Sequence, residues 1–480
     1  PLAEGTPLPV DEWLLDAHSQ SARNPRFLTM YTGQDIHGNQ SQPTRYVNSP
    51  DYGFFPLRPD PEKPYYGPGY KLDFPDTDGN CAACHTPLAA IDNAYGIDPT
   101  TVTGIATEGI SCDFCHKIWD VRLDPVSGLP LSNMPGVLAY TFRRPPDDHQ
   151  LFIGPLDDVA PGEDTYSPLQ NQSQFCAPCH FSAFWDTPIY NSFGEWLESP
   201  YSDPERAKTA GLSSSKTCQD CHMPPEPAPL GDVAAENGLV RSHRFAAANT
   251  ALPFIRGDTA MLRRIEDFLQ AEKLSVDLFA VRVPGVEGAL PLAETGTVVP
   301  VGVPLTFDVV IRNRGVGHTF PGGTNDSNEG WLEFTIEDAE GSRLVASGLL
   351  GADGHLDPMA HTFKAVIVDR NGDPVDERNA QDIHVTVYQN VIGPGSADLA
   401  HYEVALPPAF AGSTLTVSAR LLWRKFNRGY SEFAFAANPA GFKQFFEAPE
   451  LPVTEIASDS VVIEARADES RGAGAAELTA

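Results

Sequence analysis

All eight cysteines of this chain fall in one motif, Cys-x-x-Cys-His, which occurs four times. The copies are Cys81/Cys84/His85, Cys112/Cys115/His116, Cys176/Cys179/His180 and Cys218/Cys221/His222. Cysteines three apart lie on one side of a helical turn, so both thiols reach one bound group and the next histidine is carried beneath it. That is the donor set of a c-type haem: a thioether to each vinyl group and a proximal imidazole to iron. The spacing therefore calls for four covalently bound haems, and for a polypeptide that wraps porphyrin faces rather than building its own core there.

Other uses of paired cysteines fit less well. The pairs 81/84 and 112/115 have zinc-site spacing, but zinc does not require a histidine after each second cysteine. With 13 histidines in 480 residues, chance places one after all four pairs roughly once in two million trials. A thiol–disulfide redox centre needs one such pair, not four. A disulfide framework, the usual reading in an exported chain, is left with no cysteine outside the motif.

Haem iron has a second axial position. If four irons each take two imidazoles, eight histidines are needed. Residues 1–250 hold four outside the motifs: His18, His37, His149 and His243. The match of number favours saturated iron and electron transfer over an open catalytic iron. His18 is expected near a short helix capped by Asp11. His243 follows the fourth motif, His149 follows a Pro- and Asp-rich loop, and His37 lies in a polar stretch. A fifth candidate, His318, sits among glycines in Gly317–Gly323, where the backbone can approach another group closely. It competes with His37 for the last iron, against the plainer reading of a satisfied histidine in a glycine-rich turn.

Along the chain the composition divides. Residues 1–255 are rich in Pro, Gly, Asp and aromatics, and 1–272 read as an irregular, short-helix tetrahaem domain. One helix is expected around Ser192–Glu198. Another is expected over 259–272, capped by Asp258, with Met261, Leu262, Ile265, Phe268 and Leu269 at helical spacing. From Leu274 the apolar period becomes two, with strands expected over 275–283, 304–313, 331–337, 363–369, 383–389, 401–406 and 413–423. Asn371-Gly372 is a hairpin signal. The pattern predicts a β-sandwich of immunoglobulin-like kind over 273–450, an acidic tail over 451–480 with one short strand at Ser460–Glu464, and an α+β fold class for the whole.

The formal charge is −31, from 33 basic and 64 acidic residues. Such a surface repels nucleic acid and anionic lipid and suits an exported protein. No apolar run is long enough to span a bilayer. Pro1 opens the chain without a basic, apolar leader, so a removed export signal is expected. Asp369, Asn371 and Asp373 resemble half of a calcium loop but lack its later glutamate. Asp157-Asp158 and Glu163-Asp164 are equally weak calcium candidates.

The first 250 or so residues resemble the cytochrome c554-like multihaem cytochromes. The likeness is carried by Trp13 to Ala22 with its His18, by Glu108 to His116, and by Gln174 to His180. Gly317 to Pro321 resembles a motif of larger secreted cytochromes. The resemblance implies closely packed haems in stacked and perpendicular pairs, mostly with two histidine ligands. It also implies a respiratory or extracellular electron carrier in the periplasm, at the cell surface or outside the cell. Its partners would be redox proteins or extracellular acceptors. Some relatives of this kind polymerise into filaments with haems stacked across subunits, which the added β-domain and tail would suit. The competing expectation is an oxidoreductase acting on a small nitrogen or sulfur compound at an open haem.

Overall fold

The computed structural model describes residues 7–34, 46–49, 53–56, 69–131, 134–144, 151–155, 165–184, 187–228, 235–292, 296–378, 380–434 and 448–467. The fold is α+β. Up to Arg256 the helices are brief: Pro9–Leu15, Pro25–Thr32, Tyr70–Asp73, Ala82–His85, Pro87–Ala90, Cys112–Cys115, Ser192–Glu198, Pro204–Thr209, Cys218–His222 and Ala251–Arg256. Four of them begin with proline, where its missing N–H costs nothing. Gly33, at φ 75°, ends Pro25–Thr32 in the left-handed conformation that glycine adopts without strain.

Asp11 does not cap its helix from outside. Pro9 starts the helix early, and Asp11 sits at its third position, accepting from the Leu8 N–H at 3.0 Å. His18 consequently lies beyond that helix and opens the 3₁₀ turn His18–Arg23.

Side chains alone supply only a thin core here. The largest buried cluster of the motif region gathers Ala82, Ala83, Ala90, Phe114, Ile118 and Tyr140. A segment so poor in apolar contacts has to gain burial from another group.

Thr259–Gln270 begins as the sequence indicates, with the Asp258 side chain accepting from the Met261 N–H at 3.0 Å. Its buried stripe, Met261, Ile265 and Leu269, joins the core of two packed sheets. The smaller sheet orders its strands Leu290–Pro291, Leu274–Arg282, Pro304–Asn313, Ala397–Ala405. The larger runs Thr297–Pro300, Thr454–Arg466, Thr414–Arg424, Glu329–Glu337, His361–Val368, Val385–Asn390, with Arg343–Ser347 paired to Glu329–Glu337. Val276, Phe307, Ile311, Phe334, Leu421 and Ile463 are all buried between them.

Two features depart from expectation. Thr454–Arg466, expected mainly as tail, is a 13-residue strand inside the larger sheet. Ile456, Val461, Ile463 and Ala465 are buried, and that alternation holds the strand despite its acidic outward face. Thr297–Pro300 pairs in parallel with the far end of the same strand, a contact with no local sequence signal. At Asn371-Gly372 the turn forms, with Gly372 at φ 82° and the Asp369 N–H donating to the Asp373 carbonyl at 2.9 Å.

Among the described residues no helix is long and apolar enough to cross a membrane. The two halves interlock. Trp423 Nε1–H donates to the Ala248 carbonyl at 2.9 Å, and Thr29 Oγ1–H to the Ala434 carbonyl at 2.9 Å.

Candidate functional site

Local structure presents the four motifs in related ways. Three are single helical turns. The second is capped by Ser111, and the fourth by Thr217, which shares a capping box with Asp220. The third, Cys176 to His180, is a run of turns in which the His180 N–H donates to the Cys176 carbonyl at 3.1 Å. None of the eight cysteines is paired in a disulfide. Burial pushes the thiols of Cys81 up to about 11 and of Cys115 up to about 12, so both stay protonated at neutral pH. The Cys84 thiol meets that of Cys179, and Cys176 meets Cys218. The first, third and fourth motifs therefore converge on one another. Among the described residues no three His, Cys, Asp or Glu side chains form a metal-ion cluster.

The imidazoles pair across gaps. His116 and His243 have ring centres 6.3 Å apart and planes inclined by 27°. For His222 and His318 the values are 6.4 Å and 7°. For His18 and His180 they are 6.1 Å and 65°. A metal–imidazole bond is about 2 Å, and a ring nitrogen lies roughly 1.1 Å from its ring centre, so two imidazoles on opposite sides of one iron stand about 6.3 Å apart. Each pair joins one motif histidine to one histidine from elsewhere, at the spacing that a six-coordinate iron needs.

Hydrogen bonds fix which nitrogen faces the gap. Nδ1–H donates to a backbone carbonyl in His116 (Ile153, 2.7 Å), His222 (Ala246, 2.9 Å), His243 (Arg241, 3.0 Å) and His318 (Thr319, 2.9 Å). Carbonyls only accept, so the proton sits on Nδ1 and the Nε2 lone pair is left for a metal. His18 differs. Its Nδ1–H donates to the carboxylate of Asp16 at 2.6 Å, and Asp16 is 3% exposed. Burial lowers the proton affinity of His85, His116 and His222 to about 4 and of His180 to about 3, keeping each ring neutral, as a ligand must be.

The first motif is arranged otherwise. His85 stacks on Phe27 with centres 3.8 Å apart and planes 2° from parallel. Cys81, Cys84 and His85 open into a cavity lined also by Arg26, Met30, Tyr190, Arg378 and Tyr430. No second imidazole faces His85 among the described residues. His37 and His149 lie outside them, as do the acidic pairs 157/158 and 163/164. At Asp369 the carboxylate accepts from the Asn371 and Asp373 N–H groups at 2.7 and 3.0 Å, so the calcium-like loop spends its best oxygen on its own turn.

Several site residues carry no signal in the sequence. Glu12 is buried, accepts from the His243 N–H at 2.7 Å and pairs with Arg244 at 3.3 Å, holding that ligand loop in place. Phe152 stacks on His116 at 4.0 Å, and Phe245 stands edge-on to His18 at 4.6 Å. These contacts join segments far apart along the chain.

The fold has a counterpart of known structure. A penta-heme cytochrome c552 from Thermochromatium tepidum matches with a TM-score of 0.52 at 17% identity, covering 94% of this chain and 95% of that one. Both halves thus share that protein's architecture. A CARDB domain from Pyrococcus furiosus in complex with di-metal ions matches at TM-score 0.15 and 9% identity, over 40% of this chain and 85% of that one. The Pseudomonas fluorescens alkylpurine DNA glycosylase AlkC matches at 0.15 and 9%, over 47% and 45%. Similarity at that level carries no argument. No protein-family model and no curated relative matches the sequence.

Proposed function

We propose that the chain is an electron-transferring multihaem c-type cytochrome holding four haems. The cysteine pairs would form the thioethers, and His85, His116, His180 and His222 would be the proximal ligands. His243, His318 and His18 would be the distal ligands of the second, fourth and third haems, with His37 or His149 opposite His85. One observation carries the reading: three pairs of imidazoles stand 6.1 to 6.4 Å apart, each pairing a motif histidine with a histidine from elsewhere. The meeting of Cys84 with Cys179 and of Cys176 with Cys218 supports porphyrins close enough to exchange electrons directly. The fold shared with a penta-heme cytochrome agrees, although this sequence has motifs for four haems rather than five.

Bis-histidine iron has no free coordination position, which favours a carrier or conduit over a catalyst. The protein would work outside the cytoplasm, where haem is attached to such motifs, with redox proteins or extracellular acceptors as partners. A filament with haems stacked across copies is the extended form of the same role. Alkaline pyridine haemochrome and intact mass should give four haems per chain, and EPR should find low-spin iron. Fewer than four adducts removes the proposal. A substantial high-spin signal replaces it with the oxidoreductase reading at the first motif, and monodisperse monomers by electron microscopy remove the filament.

A further inference from the structure

The cavity of the first motif is bordered by a cationic cluster that the ligand scheme leaves unused. Arg26 comes from the helix Pro25–Thr32, Arg378 from the loop after His361–Val368, and Lys425 from just past Thr414–Arg424. Arg378 forms an ion pair with Asp326, and both side chains are less than a tenth exposed. Arg26 donates to Ser327 Oγ at 2.6 Å, and its guanidinium lies 3.9 Å from the Phe426 ring centre and 4.7 Å from that of Tyr430. Burial, with the two guanidinium groups beside it, lowers Lys425 to about 7. The carboxylate acting on Arg26 and Lys425 is Asp326, which already serves Arg378. Two guanidinium groups and a partly charged lysine share the Asp326 carboxylate, which leaves net positive charge among these groups in a largely dry place, an expensive arrangement unless an anion joins them. A second observation points the same way. Tyr430 lines the cavity at 2% exposure, and its hydroxyl, though near Arg26, reaches no hydrogen-bond partner at normal geometry.

We propose that Arg26, Arg378 and the Tyr430 hydroxyl, with the charge of nearby Lys425 behind them, form an oxyanion seat that takes two carboxylate-like charges at the cavity of Cys81, Cys84 and His85. Guanidinium forks match the paired oxygens of such groups, and the lysine adds a point charge. The proposal rests on the haem reading above. Two sources offer this chemistry. The propionates of the haem bound at Cys81 and Cys84 bring two negative charges, and a small free oxyanion drawn to that haem brings one or two. In either case the cations favour the less positive, reduced iron.

The test uses the haem-loaded, full-length protein. Haem count is measured first, so loss of haem is separated from failure of the seat. Arg26→Gln and Lys425→Gln should each change the oxidised-to-reduced ratio of one haem by roughly tenfold at fixed potential, a fall of about 59 mV. Arg26→Lys, which keeps the charge, should restore most of it. If the wild-type spectrum is indifferent to added nitrite and sulfite, the seat holds the haem's own carboxylates. If either probe perturbs one haem in the wild type and not in Lys425→Gln, the seat holds a free oxyanion. Should the count stay at four while no haem's potential moves and neither probe acts, the seat is overturned and the electron-transfer reading stands. If Arg26→Gln does not load haem, Lys425→Gln carries the same comparison.

Discussion

Replacing Asp16 by asparagine should raise the potential of one haem and leave the others alone. On the proposed arrangement, the third iron lies between His18 and His180. Asp16 accepts from His18 Nδ1–H at 2.6 Å, and the iron would lie about 4 Å beyond that nitrogen, across the ring and one metal bond. The carboxylate charge thus acts at about 6.5 Å. At an effective dielectric of about 20, one unit of charge at that distance is worth about 2.5 kcal/mol between ferric and ferrous iron. With 1.4 kcal/mol per tenfold and 59 mV per tenfold for one electron, the shift is about 100 mV. Solvent beside His18, which is 26% exposed, could double the dielectric and halve the figure to about 50 mV. Asp16 itself is buried, so screening beyond that is small. Burial opposes charge on the His18 ring, but Asp16 outweighs it and raises the ring's proton affinity. Asparagine keeps an acceptor and removes the charge, so ring orientation should persist. Spectroelectrochemical titration monitored by EPR reads the result. A shift below about 20 mV, or an equal shift at every haem, would refute the charge argument.

Other outcomes follow from the same geometry. Imidazole planes 65° apart leave the iron dπ orbitals closer in energy than planes 7° or 27° apart. One of the four low-spin EPR signals should therefore be distinctly more anisotropic, and Asp16→Asn should move that signal. His318→Met should raise the potential of the fourth haem alone by on the order of 100 mV, since a thioether ligand favours ferrous iron; redox titration checks it, and an unchanged set of potentials removes His318 as a ligand. Phe334→Ala should cost roughly 3–5 kcal/mol in chemical denaturation, being fully buried and stacked on Tyr402 at 4.2 Å, without altering the haem spectrum. The hydrogen bond from His361 holds the Asp398 carboxyl below its ordinary value. That contribution is complete above the unfolded carboxylate range and is lost as pH falls toward the depressed folded value. Acid unfolding should therefore begin at lower pH in the native protein than in Asp398→Asn, which lacks this term at every pH, and the stability difference between the two, measured by chemical denaturation, should shrink as pH falls.

What the sequence reveals depends on whether the governing constraint is local. The cysteine spacing is local chemistry, and it marks every thiol. Period-two alternation is local too, and the strand Pro304–Asn313 has the boundaries its pattern indicates. Thr454–Arg466 reads as tail because acidic and small residues mask its alternation. Thr297–Pro300 leaves no trace because its partner lies far along the chain. Among the distal candidates, counting imidazoles brings out His18 and His243 but cannot rank His37 against His318. Only the fold sets His318 opposite His222. Asp16 and Glu12 look like ordinary acids of a solvated helix end until folding buries them against ligand histidines. Arg26 and Lys425 come from opposite ends of the chain, and their meeting is visible only in three dimensions.

The packed sheets also answer a mechanical need. Loops in the motif region have little core of their own and hold their imidazoles through hydrogen bonds such as those of Glu12 to the His243 segment. His318 is held by different means. The Asn313 amide, 1% exposed, donates to the carbonyls of His318 and Ile392 at 3.1 Å each. Glu195, on the helix Ser192–Glu198, accepts from the Thr319 N–H at 3.1 Å and from Thr319 Oγ1–H at 2.8 Å. The loop is thus pinned to the end of a core strand on one side and to the motif region on the other. On the proposed ligation, a histidine anchored this way would relax little when its iron changed oxidation state, which would keep the reorganisation accompanying electron transfer small. On that reading, rigidity borrowed from the sheets would give the β half a direct part in the redox work.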